Sequence, residues 1–152
     1  MSIEEFTGKL VARARTRNRR IVFPEGSDER VVAAAARLAA EKVVLPVLLG
    51  PCRGMPGVKF VEPEKCGKLG RYAAILYERR RHKGVTQREA AEMARQPLYF
   101  GALMLANGDV EGYFSSMEKL VLDRSFSGFE RAGAYNDLTQ GVWDLAFRQR
   151  LE

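Results

Sequence analysis

The segment YERRRHKGVTQREA runs from Tyr77 to Ala90 and places three arginines, a histidine and a lysine ahead of one glycine. A guanidinium offers paired N–H donors that fit the oxygens of a phosphate or a similar anion. Basic side chains also complement the negative C-terminal end of a helix dipole. The segment therefore indicates either an anion-binding site or a solvated helix end, and both interpretations stay open on residue types alone.

A second basic run, RARTRNRR, lies close to the N-terminus and contributes to a net charge of +6. Its arginines are Arg13, Arg15, Arg17, Arg19 and Arg20. A capping box of Ser2 and Glu5 predicts a helix that ends near Arg17, where arginines complement the dipole. The run lacks interleaved aromatic residues, so nucleic acid is not the expected partner. Binding of nucleic acid or of a protein through this run stays open as an alternative function.

Few other side chains offer catalytic or metal-binding chemistry. Cys52, Cys66 and His82 are the only cysteines and the only histidine, and they make a poor set of metal ligands. We therefore expect no metal ion. The sequence has no run of 18 apolar residues, which predicts no membrane span. The N-terminus, MSIEEFTGKL, lacks the layout of a signal peptide, which predicts a cytoplasmic location.

Three short apolar runs predict the sheet that must position the basic segment. The runs are RIVFPEG, LPVLLGP and VKFVEP; the first lacks polar alternation, and proline or glycine closes each of them. Strands that are buried on both faces have this pattern. Ser27 is predicted to cap a helix, RVVAAAARLAAEK, between the first two strands. Strand, helix and strand at this spacing predict a right-handed crossover, so the expected fold class is α/β with a layered parallel sheet flanked by helices.

Helices are predicted to follow the third strand. From about Lys68 the apolar stripe of LGRYAAILYERRRHK predicts a helix that Gly84 ends. Thr86 and Glu89 form a second capping box, and Pro97 opens the helix LYFGALMLAN. VEGYFSS is predicted to be a fourth strand. The basic segment therefore spans the end of one helix and the start of the next.

Three sequence blocks, taken in order, carry a resemblance to a known family. The blocks are RIVFPEGSDERVVAAAARLAAEKVVLPVLLG, LYERRRHKGVTQREA and PLYFGALMLANGDVEG. Together they resemble the opening of phosphate acetyltransferases and phosphate butyryltransferases, and the similarity runs from Ile3 to Ser115. Members of this family have two α/β domains with the active site in the cleft between them. The resemblance implies a first-domain α/β region in residues 1–116 and a divergent helical tail in residues 117–152.

The resemblance also implies an activity. The family transfers an acyl group between CoA and inorganic phosphate, so the chain resembles a phosphate acetyltransferase that uses acetyl-CoA or CoA as substrate and has no covalently bound cofactor. The family places an active-site arginine at the end of a helix written Tyr-Glu-x-Arg-Lys-His-Lys-Gly, and Arg80 is at the matching position. Phosphate is then expected near Arg80, with the acyl-CoA along the carboxyl edge of the sheet. For Arg79, Arg81 and Lys83 a solvated role at the helix end is expected.

The segment NDLTQG resembles a second family motif, Asn-Asp-Leu-Ser-Arg-Gly. Thr139 takes the place of the serine and Gln140 the place of the arginine. The family's serine helps to activate the CoA thiol, so the resemblance implies a catalytic role for Thr139. The aspartate that follows this serine in the family is not matched at the same distance by Asp144. The alternative interpretation is a turn formed by Asn136 and Gly141.

Two departures from the family keep an alternative function open. The family's Ser-Gly-Ala run is replaced by YFSSMEKLVLDR, and its second domain is not matched by this sequence. The alternative is a catalytically silent remnant of the family that binds an anion or acts as an interaction domain. The amphipathic segment VWDLAFRQRL is expected either to cover the rest of the chain or to form a homodimer contact.

Overall fold

The computed structural model describes residues 2–115, which form a four-stranded parallel sheet with helices on both faces. The strands are β1 (Arg20–Phe23), β2 (Leu45–Leu49), β3 (Lys59–Val61) and β4 (Gly112–Tyr113). Their order across the sheet is β3-β2-β1-β4, and each neighbouring pair is parallel. The predicted α/β class and the parallel sheet are confirmed.

Five α-helices accompany these strands in residues 2–115. They are α1 (Ile3–Arg17), α2 (Glu29–Ala40), α3 (Leu69–Arg80), α4 (Gln87–Arg95) and α5 (Pro97–Ala106). Both predicted capping boxes are present, because the side chains of Ser2 and Thr86 accept hydrogen bonds from backbone N–H groups three residues later. Each box satisfies backbone donors that the first turn of a helix leaves without partners. Local capping residues therefore determine where α1 and α4 begin.

Two apolar cores lie on opposite faces of the sheet. One contains Val22, Val47 and Leu49 together with residues of α3, α4 and α5, whereas the other contains residues of α2. Ile21, Phe23 and Leu48 belong to the second core. Side chains alternate between the faces along a strand, so neighbouring residues of β1 and β2 serve different cores. This division explains why the strand sequences are apolar at every position in the middle of the sheet.

The structure differs from three local predictions. Asp28, and not Ser27, caps α2, because the Asp28 carboxylate accepts from the backbone N–H of Arg30 and also forms an ion pair of 2.8 Å with its guanidinium. The predicted strand VEGYFSS is reduced to β4, which pairs with only two residues of β1. The predicted helix through Lys83 ends at Arg80 and continues as one 3₁₀ turn. Gly84 closes this turn with a φ of 83°, a value that glycine adopts without strain.

Two arginines of the N-terminal basic run are engaged within the fold. Arg20 Nη2 lies 2.6 Å from Glu111 Oε1, and the backbone N–H of Arg20 donates to Glu111 Oε2 over 2.7 Å. Arg15 Nε donates to the backbone carbonyl of Glu41 over 2.9 Å. Hydrogen bonds from Arg20 lower the pKa of Glu111. These contacts join the amino ends of β1 and β4 and dock α1 beside the end of α2.

None of the helices in residues 2–115 combines the length and the apolar character that crossing a bilayer requires.

Candidate functional site

Arg80 is the last residue of α3 and is partly buried. Its guanidinium carbon lies 5.7 Å from the centre of the Tyr99 ring, a distance typical of a cation–π contact. The helix is fixed beneath it, because Tyr72 and Leu76 of α3 are buried. Pro97 starts α5, so Tyr99 stands in the first turn of that helix. The end of α3 and the start of α5 together position the Arg80 side chain.

The same part of α5 packs on the carboxyl edge of the sheet, meaning the edge formed by the C-terminal ends of the strands. A Cβ atom built on Gly101 would lie 3.2 Å from Pro24 Cγ and 3.0 Å from Tyr113 Cε2. Pro24 follows β1 directly, and Tyr113 ends β4. Tyr99 lies two residues before Gly101, so Arg80 contacts the same turn of α5 that packs on this edge, but from a different side of the helix. The sequence predicted the helix end but could not predict the contact with Tyr99.

The neighbours of Arg80 have different environments. Arg81 is exposed and forms a long ion pair of 3.4 Å with Glu78. Arg79 is partly buried. An open cavity of about 340 Å³ lies beside the chain reversal, and Lys83, Glu89 and Glu92 are among its lining residues. Arg80 is not among the described residues that line this cavity. Because two carboxylates and one lysine line the cavity, its charge does not favour the binding of an anion.

A second group of polar side chains lies on the carboxyl edge itself. Ser115 Oγ donates a hydrogen bond of 2.7 Å to Glu25 Oε1, and both side chains are partly buried. The Tyr113 hydroxyl lies in the same environment. Its burial raises the pKa of Tyr113, the Ser115 hydroxyl acts in the opposite direction, and the Glu25 carboxylate raises the pKa further. Tyr113 therefore stays protonated at neutral pH.

This group, Glu25 with Tyr113 and Ser115, lies where the order of the strands reverses. The chain builds the sheet outward from β1 through β2 to β3, and it then returns to the other side of β1 with β4. In open parallel sheets the carboxyl edge at such a reversal is the usual place for a ligand. Glu25 and Ser115 are separated by 90 positions in sequence, so their hydrogen bond was not predicted from the sequence. Only the order of the strands would have shown that Glu25 and Ser115 lie together, and a local sequence pattern does not specify that order.

Thr139, the second predicted catalytic residue, lies outside the described residues, as do Gln140 and Asp144. Within the described part of the chain, no group of three or more histidine, cysteine, aspartate or glutamate side chains could hold a metal ion. Cys52 is exposed and Cys66 is partly buried, and neither forms a disulfide. Of the predicted catalytic residues, only Arg80 has a described environment.

A parallel sheet with a strand-order reversal and helices on both faces defines an open, doubly wound α/β domain. A sequence model of the family described as "Phosphate acetyl/butaryl transferase" matches residues 5–121. The chain belongs to this family, which confirms the resemblance seen in the sequence.

Individual relatives agree with the family match. The phosphate acetyltransferase of Nitratidesulfovibrio vulgaris is 34% identical over 121 residues, which are 72% of this chain and 17% of that protein. The phosphate acetyltransferase of Acetivibrio thermocellus is 32% identical over 70% of this chain and 35% of its own length. Among solved structures, a phosphotransacetylase from Streptococcus pyogenes superposes with a TM-score of 0.68 at 32% identity, over 76% of this chain and 38% of that one.

The chain spans between about a sixth and two fifths of the length of these relatives. A phosphotransacetylase from Staphylococcus aureus gives the same result, with a TM-score of 0.62, 27% identity, and coverage of 72% of this chain and 37% of the other. The comparison therefore identifies the described fold as one part of the architecture of these relatives.

Proposed function

We propose that this chain is a phosphate acyltransferase, which transfers an acetyl or short acyl group between CoA and inorganic phosphate. We propose further that it carries the phosphate-binding part of the active site. The observation that carries this proposal is the placement of Arg80. Within a chain of this family, the arginine of the segment YERRRHKG is held against Tyr99, in the turn of α5 whose Gly101 packs on the carboxyl edge of the sheet. The relatives are named phosphate acetyltransferases, which supports acetyl-CoA and phosphate as the substrates.

The reaction proceeds by direct attack in this proposal. A phosphate oxygen forms a bond to the thioester carbonyl carbon, the C–S bond breaks, and the sulfur leaves as a thiolate that takes up a proton. Arg80 binds phosphate oxygens through its paired N–H donors. A guanidinium in this position also stabilises the negative charge that develops on the carbonyl oxygen during attack. Neither cysteine is needed as a nucleophile, and CoA enters as a substrate and not as a bound cofactor.

Three further features complete the proposal. The division into an α/β region of the family in residues 1–116 and a tail in residues 117–152 is kept as part of the proposal, and the tail lies outside the described residues. Thr139 contributes its hydroxyl to the CoA thiol, in the place of the serine of the family motif. The enzyme acts in the cytoplasm on small molecules. The α/β region rests on the sequence blocks and on the family match over residues 5–121, whereas the role of Thr139 rests on the resemblance of NDLTQG alone.

The test compares two neighbouring arginines in an assay of acetyl phosphate formation from acetyl-CoA and phosphate. Arg80→Ala is expected to lower kcat roughly 10²–10³-fold, because it removes a charge-stabilising donor set. Arg81→Ala is the matched control, since Arg81 is exposed and pairs only weakly with Glu78. Arg80→Lys keeps the charge but loses the planar fork of donors, and it is expected to recover only part of the activity.

Two results would contradict the proposal in different ways. Equal activity in Arg80→Ala and Arg81→Ala would remove Arg80 from the mechanism. A folded wild-type chain that forms no acetyl phosphate, at any concentration of either substrate, would refute the acyltransferase function and leave an anion-binding or interaction domain.

A further inference from the structure

The N-terminal helix α1 presents one side to solvent in the described part of the chain. A row of side chains at alternating spacings of three and four residues lies along this side, and we call it the α1 stripe: Ile3, Phe6, Leu10, Arg13 and Arg17. Ile3 is 85% exposed and Phe6 is 51% exposed, whereas Leu10 is partly buried. Arg13 and Arg17 are both exposed. The stripe therefore has an apolar first half and a basic second half.

Other residues of α1 hold the helix in place. Val11 and Ala14 pack against the core that contains residues of α2. Arg15 donates a hydrogen bond to the backbone carbonyl of Glu41, and the capping box of Ser2 fixes the first turn. The stripe is therefore presented on a helix that is already formed and docked, so a partner does not have to order it.

The spacing of the stripe indicates the shape of its partner. Side chains that recur at alternating spacings of three and four residues form the seam along which two helices pack side by side. Ile3, Phe6 and Leu10 extend over about two helical turns. Phe6 lies between the other two, and a half-exposed aromatic ring in the middle of an apolar row is a typical anchor of an interface. A helix with apolar side chains over two turns fits this half of the stripe.

The basic half of the stripe determines the charge of the partner. Arg13 and Arg17 are one turn apart on the same side of α1. A guanidinium pairs best with a carboxylate, because its planar fork of donors matches the two oxygens. Arg20 shows this pairing nearby, since its Nε and Nη2 both donate to Glu111. The partner helix is therefore expected to carry aspartate or glutamate beyond its apolar residues.

Three other occupants match the stripe less well. A second α1 has its carboxylates at Glu4 and Glu5, outside the stripe, so two paired stripes would set arginine against arginine or against apolar side chains. The C-terminal segment VWDLAFRQRL has more arginines than carboxylates. A membrane surface suits a helix with apolar and basic residues on opposite sides, whereas the stripe carries both on one side.

We propose that the α1 stripe is a docking surface for an acidic amphipathic helix of another protein, whose apolar side chains cover the first half of the stripe and whose carboxylates pair with the second. A single helix pair is at the small end of protein–protein interfaces, so a transient complex with a micromolar dissociation constant is expected. This surface goes beyond the proposed function. It lies on α1, which packs on the opposite face of the sheet from α3 and Arg80.

The test uses a synthetic helical peptide of three heptads, with leucine at the a and d positions of two heptads and glutamate at those positions of the third. It is made in both orders, with the glutamates first or last, to allow antiparallel and parallel docking. Binding to the full chain is followed by fluorescence anisotropy. One order is expected to bind saturably in the micromolar range, and the same peptide with lysine in place of glutamate roughly tenfold more weakly or less.

Variants of the chain separate the two halves of the stripe. Phe6→Ser removes the central apolar contact and is expected to weaken binding of the acidic peptide roughly tenfold. Arg13→Glu is expected to weaken binding of the acidic peptide and to strengthen binding of the lysine peptide. Arg95→Glu is the control, because Arg95 is exposed on α4 and its reversal changes the net charge equally. Circular dichroism checks that each variant is folded.

Each of the following results would overturn the inference. The full chain binds neither acidic peptide saturably, or it binds the acidic and the lysine peptides equally well. Arg95→Glu weakens binding as much as Arg13→Glu, which would reduce the effect to net charge. The chain alone forms a dimer in sedimentation experiments, and Phe6→Ser abolishes that dimer, so that a second copy is the occupant. Phosphatidylglycerol vesicles bind the chain, and Phe6→Ser abolishes this binding, so that a membrane is the occupant.

Discussion

Three consecutive arginines, Arg79 to Arg81, have different environments, and the environment determines the role of each side chain. Arg79, Arg80 and Arg81 are consecutive, yet among the residues that the structure describes only Arg80 stacks on an aromatic ring, whereas Arg81 is exposed beside Glu78. The sequence predicted the basic helix end and, through the family motif, singled out Arg80. The stacking partner could not be predicted, because Tyr99 comes from another helix whose packing is a tertiary property. The contact between Glu25 and Ser115 could not be predicted for the same reason, because the two residues are distant in sequence and meet only in the fold.

Asp109 is the clearest case of a residue whose charge stabilises the described fold. Its carboxylate accepts hydrogen bonds from Tyr72 Oη, from Lys68 Nζ and, over 2.7 Å, from Asn107 Nδ2. Burial alone would raise the pKa of Asp109, but these hydrogen bonds outweigh it and lower the pKa to about 2. The network joins the start of α3 to the loop between α5 and β4.

Replacing Asp109 by asparagine is expected to lower the free energy of unfolding at pH 7 by about 1–3 kcal/mol, because the part-buried hydrogen bonds from Tyr72 and Asn107 lose a charged acceptor. The pKa in the folded chain lies below the ordinary value of 3.8, so the stabilisation is complete above pH 4 and is lost as the pH falls towards 2. Urea unfolding at pH 7 and at pH 2.5 should therefore show a large difference between wild type and variant at the higher pH and a small one at the lower pH.

Glu92→Gln is the control for this prediction. Glu92 forms an ion pair of 3.2 Å with Arg88 on the exposed face of α4, and such pairs contribute roughly 0.5 kcal/mol or less. A destabilisation by Asp109→Asn that is as small as that of the control, or one that does not change with pH, would contradict the assigned role of the network.

At the scale of whole elements, the local signals in the sequence were sufficient to place most helix ends. Both capping boxes and the proline at the start of α5 act within one turn of the chain, so they were read correctly. The extent of β4 was overestimated: it pairs only Gly112 and Tyr113 with Ile21 and Val22, and β1 itself ends before Pro24, which cannot donate to a strand ladder. The strand order, and with it the reversal that brings Glu25 to Ser115, depends on contacts distant in sequence. No local pattern specifies such contacts.

Two glycines show how element packing decides the effect of the same substitution. Gly26→Ala would force a Cβ atom against the backbone carbonyl of Leu49, with 2.8 Å to its carbon, and a strand backbone cannot move aside. We expect a loss of about 1–3 kcal/mol in the free energy of unfolding, or more. Gly8 lies within α1 and a Cβ there meets nothing within 4 Å, so Gly8→Ala should stabilise that helix by roughly 0.5–1 kcal/mol.

Thermal unfolding followed by circular dichroism would measure both changes. The two variants should move the unfolding temperature in opposite directions from the wild type. A Gly26→Ala variant with wild-type stability would mean that the loop after β1 is not pressed against the end of β2.

The two cores share one sheet, so we expect their stabilities to be coupled across the described fold. Neighbouring residues of β1 and β2 point to opposite faces, so neither core can open without disturbing strands that the other core needs. Leu38→Ala on the α2 side and Leu76→Ala on the α3 side each remove a buried leucine, at a cost of about 2–5 kcal/mol. Because the sheet is shared, each variant should reduce the stability of both faces by the same amount.

Amide hydrogen exchange measured residue by residue would test this coupling. In Leu38→Ala, the slowest amides of α2 and of α3 should lose protection equally, since they exchange only when the shared sheet unfolds. Leu45→Ala is the matched control, because Leu45 is 40% exposed at the start of β2 and its truncation should cost far less. Loss of protection confined to α2 would show that this helix opens by itself. The carboxyl edge would then lack rigid support from both faces of the sheet.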